Sequence, residues 1–287
     1  MRRILQKRTK FDRIAFIIVF VLFLVYSFSL LYPFIWTIIT SFKDESDYLV
    51  NRISFPTKWI FTNYSDAFVA LSAKNTGLGK MIWNSVWYAF GGTAITVLVS
   101  SMSAYVVAKY KFIGQKTFYT ISIITMMLPI VGAIPSQYQV YKNLNILNNP
   151  FFLITFANGM GFNFLILFGY FSSLPWDYVE SASIDGAGHF RIFFRIMLPQ
   201  AASVILSLFI VAFIGTWNDY MNPILFLEDY PTLSSGIYMY QCDILQKNVD
   251  IPMLFAGIIM SVIPVLTLFI VFQDKIMNVS LGGGLKG

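Results

Sequence analysis

The chain has 287 residues, of which 57% are hydrophobic, 18% aromatic and only 12% charged. A soluble domain carries about 25% charged residues, so with a mean hydropathy of +0.67 this chain cannot solvate a globular surface, and most of that surface must face lipid. The net charge of +6 is unevenly placed and reads as a topology signal rather than a nucleic-acid footprint, while a single cysteine (Cys242) excludes an internal disulfide and a single histidine (His189) argues against a Cys/His metal site.

In chain order, Arg2, Arg3, Lys7, Arg8, Lys10 and Arg13 lead into an apolar run over about 14–40. That run is too long for a signal-peptide core, and no small-x-small cleavage site closes it, so it is read as a retained first span. Five further stretches, about 81–108, 118–137, 151–172, 200–224 and 251–273, meet the roughly 20 residues a helix needs to cross about 30 Å of hydrocarbon. The second carries Gly92, Thr96, Ser100 and Ala104 at four-residue spacing, a small-residue face that permits close helix–helix contact. Pro129 and Pro135 interrupt the third, which membrane helices tolerate when neighbours satisfy the freed backbone. The expectation is an all-α membrane protein: one transmembrane domain over 1–287, with six spans and no internal repeat.

Six spans put the N-terminus, the 109–117 connection, the 173–199 connection and the C-terminus on one side. Thirteen of the twenty Lys and Arg residues fall there, against seven in 43–80, 138–150 and 225–250. The positive-inside rule therefore places both termini and 173–199 in the cytoplasm.

The 173–199 connection is the least ordinary part of the chain. It holds two helix-like segments hinged at Gly186 and stops at Pro199. Phe190, Phe193, Phe194 and Met197 fall at i, i+3, i+4 and i+7, one helical face, with Arg191 and Arg195 four apart on another side. A membrane protein that exposes such a structure to water docks it into something.

Polar groups in the spans are few. Asp219, in Trp217-Asn218-Asp219, is the one acidic residue placed inside a span; it is either a cavity or gating group or an interfacial, structural one. Asn84, Asn158 and Asn163 either meet a polar solute or bridge helices. With Trp217 and Asn218 these make up the substrate-path candidates. The 225–250 connection exceeds the usual 2–8 residues between helices. It contains Pro231, Thr232, Ser235, Gly236 and Tyr238 among carboxylates and amides that suit sugar hydroxyls and ring faces, or it is simply a solvated connector. The Gly-rich tail 281–287 fails as a phosphate loop, because Lys286 is followed by Gly287 rather than Ser or Thr. No Ser/His/Asp set occurs either. The chain is expected to be no enzyme and to hold no cofactor of its own, and His189 is read as a solvent-side or interface residue, not a base.

Glu180-Ser181-Ala182, then Gly186, then Ile196-Met197-Leu198-Pro199 resembles the signature of permeases of binding-protein-dependent ABC importers, with spacing kept in full and Ser181 standing for an alanine. Tyr32-Pro33, Asn84-Ser85, Ala104-Tyr105, Lys111-Phe112-Ile113-Gly114, Met127-Leu128-Pro129, Ile134-Pro135, Trp217-Asn218-Asp219, Pro231-Thr232-Leu233 and the tail Gly283–Gly287 extend the resemblance to the carbohydrate-uptake branch, the maltose-type second permease. The resemblance implies a type I importer fold. It makes Glu180, Ser181, Ala182, Asp185 and Gly186 a coupling segment seated in an ATPase subunit, continued by Phe190, Arg191 and Phe194. It also implies a homologous permease partner, an ATPase dimer that carries the ATP and Mg, and an extracytoplasmic solute-binding protein whose cleft receives the loop around Ser235, Gly236 and Tyr238. Membrane lipid is the remaining partner, nucleic acid is not one, and the place is a bacterial cytoplasmic membrane. The alternatives are an ABC permease for a non-sugar solute, or a secondary transporter, which would need charges in several spans.

Overall fold

A computed structural model describes residues 10–70, 72–73, 76–128, 132–244 and 250–282. Its elements in order are α1 (Lys10–Ser41), α2 (Glu45–Val50), α3 (Thr62–Ala70), a two-residue hairpin of β1 (Ser72–Ala73) and β2 (Thr76–Gly77), α4 (Leu78–Lys109), α5 (Gln115–Met127) and α6 (Ile134–Asn143). A 3₁₀ segment, Pro150–Phe156, leads to α7 (Phe162–Ser173), α8 (Asp177–Ile184), α9 (His189–Ile192), a π turn (Phe193–Met197) and α10 (Leu198–Gln200). The chain closes with α11 (Ala202–Trp217), α12 (Met221–Phe226), α13 (Leu233–Ile244) and α14 (Ile251–Gly282). Among the described residues the protein is helical apart from the hairpin, in which Ser72 pairs with Gly77 and Ala73 with Thr76. The basic residues Arg2, Arg3, Lys7 and Arg8, together with Pro129, Lys247 and the 283–287 tail, lie outside the described residues.

Among the described residues, three helices are long and apolar enough to cross a membrane: Arg13–Ser41, Leu78–Lys109 and Ile251–Val271. A fourth span forms if His189–Gln200 and Ala202–Trp217, bent by 79° to each other, are taken together. The axis of the fold is α4. Its buried residues, among them Leu78, Met81, Ser85, Tyr88, Gly92, Ser100, Ala104 and Val107, recur every three or four positions along its 32 residues. It packs on α7 and the 3₁₀ segment, on α11 and on α13. By contrast α1 is exposed from Arg13 to Ile35 and meets α14 near its end, where the Trp36 and Phe255 rings stand edge to face at 5.2 Å.

Three stretches expected as continuous spans are broken; 200–224 divides into α11 and α12 at Asn218-Asp219-Tyr220, so Asp219, read as lying inside a span, sits between two helices. The 118–137 stretch divides into α5 and α6, and Pro135 sits in the first turn of α6. There its missing N–H costs nothing, so it starts a helix rather than kinking one. The 151–172 stretch divides at Asn158-Gly159-Met160-Gly161, where Gly161 adopts φ +94°. An α7 of 12 residues is only about 18 Å long. Irregular backbone at membrane depth needs partners for its free carbonyls, and the small-residue face of α4 supplies them. The Thr96 hydroxyl donates to Phe156 O (3.0 Å) and the Ser100 hydroxyl to Asn158 O (2.8 Å). Gly92 leaves room for the Phe156 ring, and Gly159 sits so near Ser103 that a Cβ would overlap its hydroxyl. The face read as a helix–helix contact thus seats a non-helical segment.

The 43–80 connection folds into a cap. Lys43 is fully buried and donates to Asn51 O (2.5 Å) and Ser54 Oγ (3.3 Å). The Asn63 amide donates to Ser41 O (2.8 Å) and Lys43 O (2.7 Å), tying α3 back to the end of α1. Among its described residues the 225–250 connection is largely helical, with the end of α12 and all of α13 in it.

Candidate functional site

The signature segment is built on the lower end of α4 and on α7. Leu174, ahead of Pro175, is extended (φ −73°, ψ 140°), as a residue before proline prefers. Helix α8 then starts with Asp177 and Glu180 in its first turn, where carboxylates suit the positive end of the helix dipole. It ends in a Schellman reversal: Ala187 N–H donates to Ala182 O (2.9 Å) and Gly186 N–H to Ser183 O (3.0 Å), with Gly186 at φ +77°. No atom lies within 4 Å of where a Gly186 Cβ would stand, so conformation rather than space demands glycine there.

Val179 and Ala182 point inward, while Glu180, Ser181, Asp185 and Gly186 face solvent. The single apolar face expected for the second segment splits in two. Ile192, Phe193 and Met197 are buried with Tyr105, Phe164, Leu167 and Phe171. Phe190 is 72% exposed and Phe194 45%, beside an Ile184 that is 80% exposed. The cause is the π turn at 193–197, which inserts a residue into the helical period and brings Ile192 and Met197, five apart, onto the buried side. Arg191 and Arg195 are exposed. The surface so formed carries Ile184, Phe190 and Phe194, the carboxylates of Asp177, Glu180 and Asp185, and two guanidiniums.

Sequence reasoning missed the anchor of this segment. The Lys109 ammonium donates to Leu174 O (2.5 Å), and the Tyr110 ring stands edge-on to Trp176 at 6.0 Å, on the first leg. Tyr110 Oη lies 2.9 Å from His189 Nδ1 and 3.1 Å from Tyr105 Oη, and the Tyr105 ring packs on Phe193 at 5.2 Å, on the second leg. An apolar pocket of about 130 Å³, lined by Met102, Val106 and Phe190 among others, lies between helix and segment.

At the other end of α4, polar side chains bracket backbone. The Asn84 amide donates to Pro231 O (3.0 Å) and its oxygen accepts from Trp87 Nε1 (3.2 Å). Ser85 Oγ accepts from Leu233 N–H (2.7 Å), and the Ser234 hydroxyl donates to Trp217 O (2.6 Å). Trp217, buried, donates from Nε1 to Ser261 O (3.2 Å). Asp219 accepts from the Tyr88 hydroxyl (2.7 Å) and from the Asn222 side chain (2.7 Å) and backbone (3.2 Å), which makes it a satisfied carboxylate at the start of α12. Asn218 is exposed and donates to Ile214 O in its own helix (3.0 Å).

The substrate-path candidates do not converge. Asn84, Trp217 and Asp219 share the Leu78 end of α4, and Asn158 sits at the break before α7, its oxygen accepting from Met160 N–H (3.0 Å). Asn163 is half-buried in the first turn of α7. The residues of the 225–250 connection read as entering a binding-protein cleft lie mostly inside the fold. Pro231, Thr232, Ser235 and Gly236 are buried, and a Cβ on Gly236 would overlap Met81 Sδ. Thr232 Oγ1 accepts from Ser235 N–H (3.3 Å) to start α13. Of that group Tyr238 alone is exposed, stacked on Tyr220 at 4.4 Å.

Near this end, burial pushes the Asp250 carboxyl above the usual range, with Glu45, Asp44 and Asp66 adding repulsion. The Ser46 side chain and backbone hold Asp44 below that range.

Residues 96–275 match the family described as binding-protein-dependent transport system inner membrane component. The chain is 32% identical to the diacetylchitobiose uptake system permease protein of Streptomyces coelicolor over 89% of its length and 84% of that protein. It is 29% identical to the maltodextrin transport system permease protein of Streptococcus pneumoniae over 91% and 92%. Among solved structures, a bacterial ABC transporter involved in the import of the acidic polysaccharide alginate has a chain of the same fold: TM-score 0.76, 24% identity, 93% of this chain and 98% of that one.

Proposed function

The chain belongs to the family of binding-protein-dependent transport system inner membrane components, and on that premise we propose that it is one of two membrane-spanning subunits of an ATP-driven importer of a sugar or oligosaccharide. A homologous permease, an ATPase dimer and an extracytoplasmic solute-binding protein complete the assembly. ATP and Mg reside on the ATPases; this chain hydrolyses nothing. It sits in a bacterial cytoplasmic membrane with both termini and the α8–α10 segment inside, as the Lys and Arg bias favours.

The observation that carries this reading is the Gly186 reversal. It sets Glu180, Ser181 and Asp185 at the surface beside exposed Ile184 and Phe190, on a floor of Val179, Ala182, Ile192 and Phe193 that is packed into the bundle. A segment packed beneath and apolar above is suited to sit in a cleft of another protein. ATPase closure then carries it as a rigid body and shifts the bundle between outward and inward access. A secondary transporter fits less well, because Asp219, the acidic group in the break between α11 and α12, is satisfied by Tyr88 and Asn222.

The test is co-expression with the ATPase and permease encoded beside it, then uptake of labelled diacetylchitobiose, maltotriose and related oligosaccharides in a strain lacking the chain. ATP-dependent uptake of at least one, restored by the chain and co-purification of the ATPase, is expected. Uptake driven by an ion gradient without the ATPase overturns the assignment. Reporter fusions after residues 60 and 238 should read external, and after 113 and 186 cytoplasmic.

A further inference from the structure

Both legs of the α8–α10 segment converge on one turn of helix. Lys109 and Tyr110 hold the first leg through Leu174 O and the Trp176 ring; Tyr110 and Tyr105 hold the second through His189 and Phe193. The same unbroken helix carries Asn84, Ser85 and Tyr88 at its far end, bonded to Pro231, Leu233 and Asp219. About 22 residues separate Tyr110 from Tyr88, a rod of about 33 Å. Resting on the reading of the segment as the ATPase contact, we propose that Tyr110 and His189 are positioning residues for coupling: their hydrogen bond locks the segment to α4, so that a push on the segment turns α4 and, through it, the 217–236 region at the opposite face.

The chemistry suits a latch better than a weld. Tyr110 Oη can donate to an unprotonated His189 Nδ1 while accepting from Tyr105, or reverse both bonds, so the chain Tyr105–Tyr110–His189 keeps a partner for each group in either sense. On the second leg the rest of the anchorage is ring on ring, which slides, and on the first leg only the Lys109 bond to Leu174 O is polar. The Tyr110–His189 bond adds direction to contacts that otherwise fix only depth. Gln115 stiffens the mounting by donating to Val107 O (2.6 Å) across the turn that follows α4.

The experiment uses the assembled transporter in liposomes, with ATP hydrolysis measured with and without its binding protein and uptake of tritiated diacetylchitobiose and maltotriose measured per ATP. Tyr110→Phe removes one hydroxyl and leaves the rings; His189→Leu removes the acceptor; His189→Asn restores an acceptor near the Nδ1 position. Expected is a fall in uptake per ATP of about three- to ten-fold in Tyr110→Phe and in His189→Leu, the weight of one net hydrogen bond in a two-state equilibrium. The double variant should be no worse than either single one, and His189→Asn should recover most of the loss. Uptake per ATP equal to wild type in both single variants overturns the proposal. So do losses that match the amount of ATPase lost from the complex, because those report docking or folding alone. If the unaltered chain gathers no ATPase, the functional reading itself has failed, a result separable from either outcome.

Discussion

The two ends of α4 are held by opposite means. At the signature end the contacts are rings and methyl groups, the polar bonds are few and reach the surface, and three apolar side chains are left uncovered. At the 78–88 end buried side chains bond to backbone groups of distant segments, and the apolar contacts beneath them are closed. The contrast is physical: unsatisfied buried polar groups are costly, so brackets of the second kind fix one arrangement, whereas apolar packing with a wet rim permits small rotations. On the proposed reading, one end is the one pushed and the other stays whole while it moves.

The sharpest way to break that comparison is at Gly186. A β-branched residue at φ +77° is strained by about 1–3 kcal/mol, yet nothing crowds the site, so Gly186→Val should reshape the reversal without disturbing the bundle. Uptake should fall to background while the chain still reaches the membrane, and Glu180→Lys should act in the same direction by inverting a charge on the exposed face. Binding-protein-stimulated ATP hydrolysis at wild-type level in the double variant would remove the segment from coupling.

At the opposite end the expected effect is on folding. Gly236→Val drives a branched side chain into Met81, an overpacking that costs about 1–3 kcal/mol. The purified chain should unfold at lower temperature, and Met81→Ala should relieve part of the loss. No change in the unfolding midpoint would mean that α13 moves freely over α4. Asn84→Leu should cost a similar or smaller amount, about 1–2 kcal/mol, by orphaning Pro231 O. Its ATP coupling per folded molecule should fall less than in Gly186→Val, because Ser85 and Tyr88 still bond to Leu233 and Asp219.

The two ends also differed in how far they could be read in advance. The reversal at Gly186 was legible because a glycine at fixed spacing between short polar helices has few uses. The faces of the segment were not, because the π turn shifts the period after Ile192. Apolar composition reported that 151–172 is buried or lipid-facing but not that it is broken; Gly159 and Gly161 were the available sign, and they matter because Thr96 and Ser100 lie opposite. The 231–236 segment reads as polar and loop-like. Its burial depends on Met81, Asn84 and Ser85, about 150 residues earlier, and no local pattern announces that pairing. The Tyr110–His189 contact is hidden for the same reason.

The smallest effect concerns charge rather than packing, and it tests whether the rigid end is fully satisfied. Asp250 Oδ1 accepts from Met253 N–H (3.2 Å) at the start of α14, while burial and the carboxylates of Glu45, Asp44 and Asp66 push its pKa up. A raised carboxyl contributes stability that is present below the ordinary value of 3.8 and is lost as pH rises through the higher, folded value. At neutral pH wild type therefore carries a small cost. Asn caps a helix as well as Asp, so Asp250→Asn keeps the bond to Met253 and removes the charge. Because half of the group still meets water, screening holds the gain to under about 0.5 kcal/mol, an upward shift of about 1 °C in the unfolding midpoint. The gain should be present at neutral pH and shrink as pH falls through the raised, folded value toward the ordinary 3.8, where wild type also becomes neutral. A variant less stable than wild type at neutral pH would mean that the Asp250 charge is used there, and that the start of α14, packed on α3 and α13, is held by electrostatics as well as by packing.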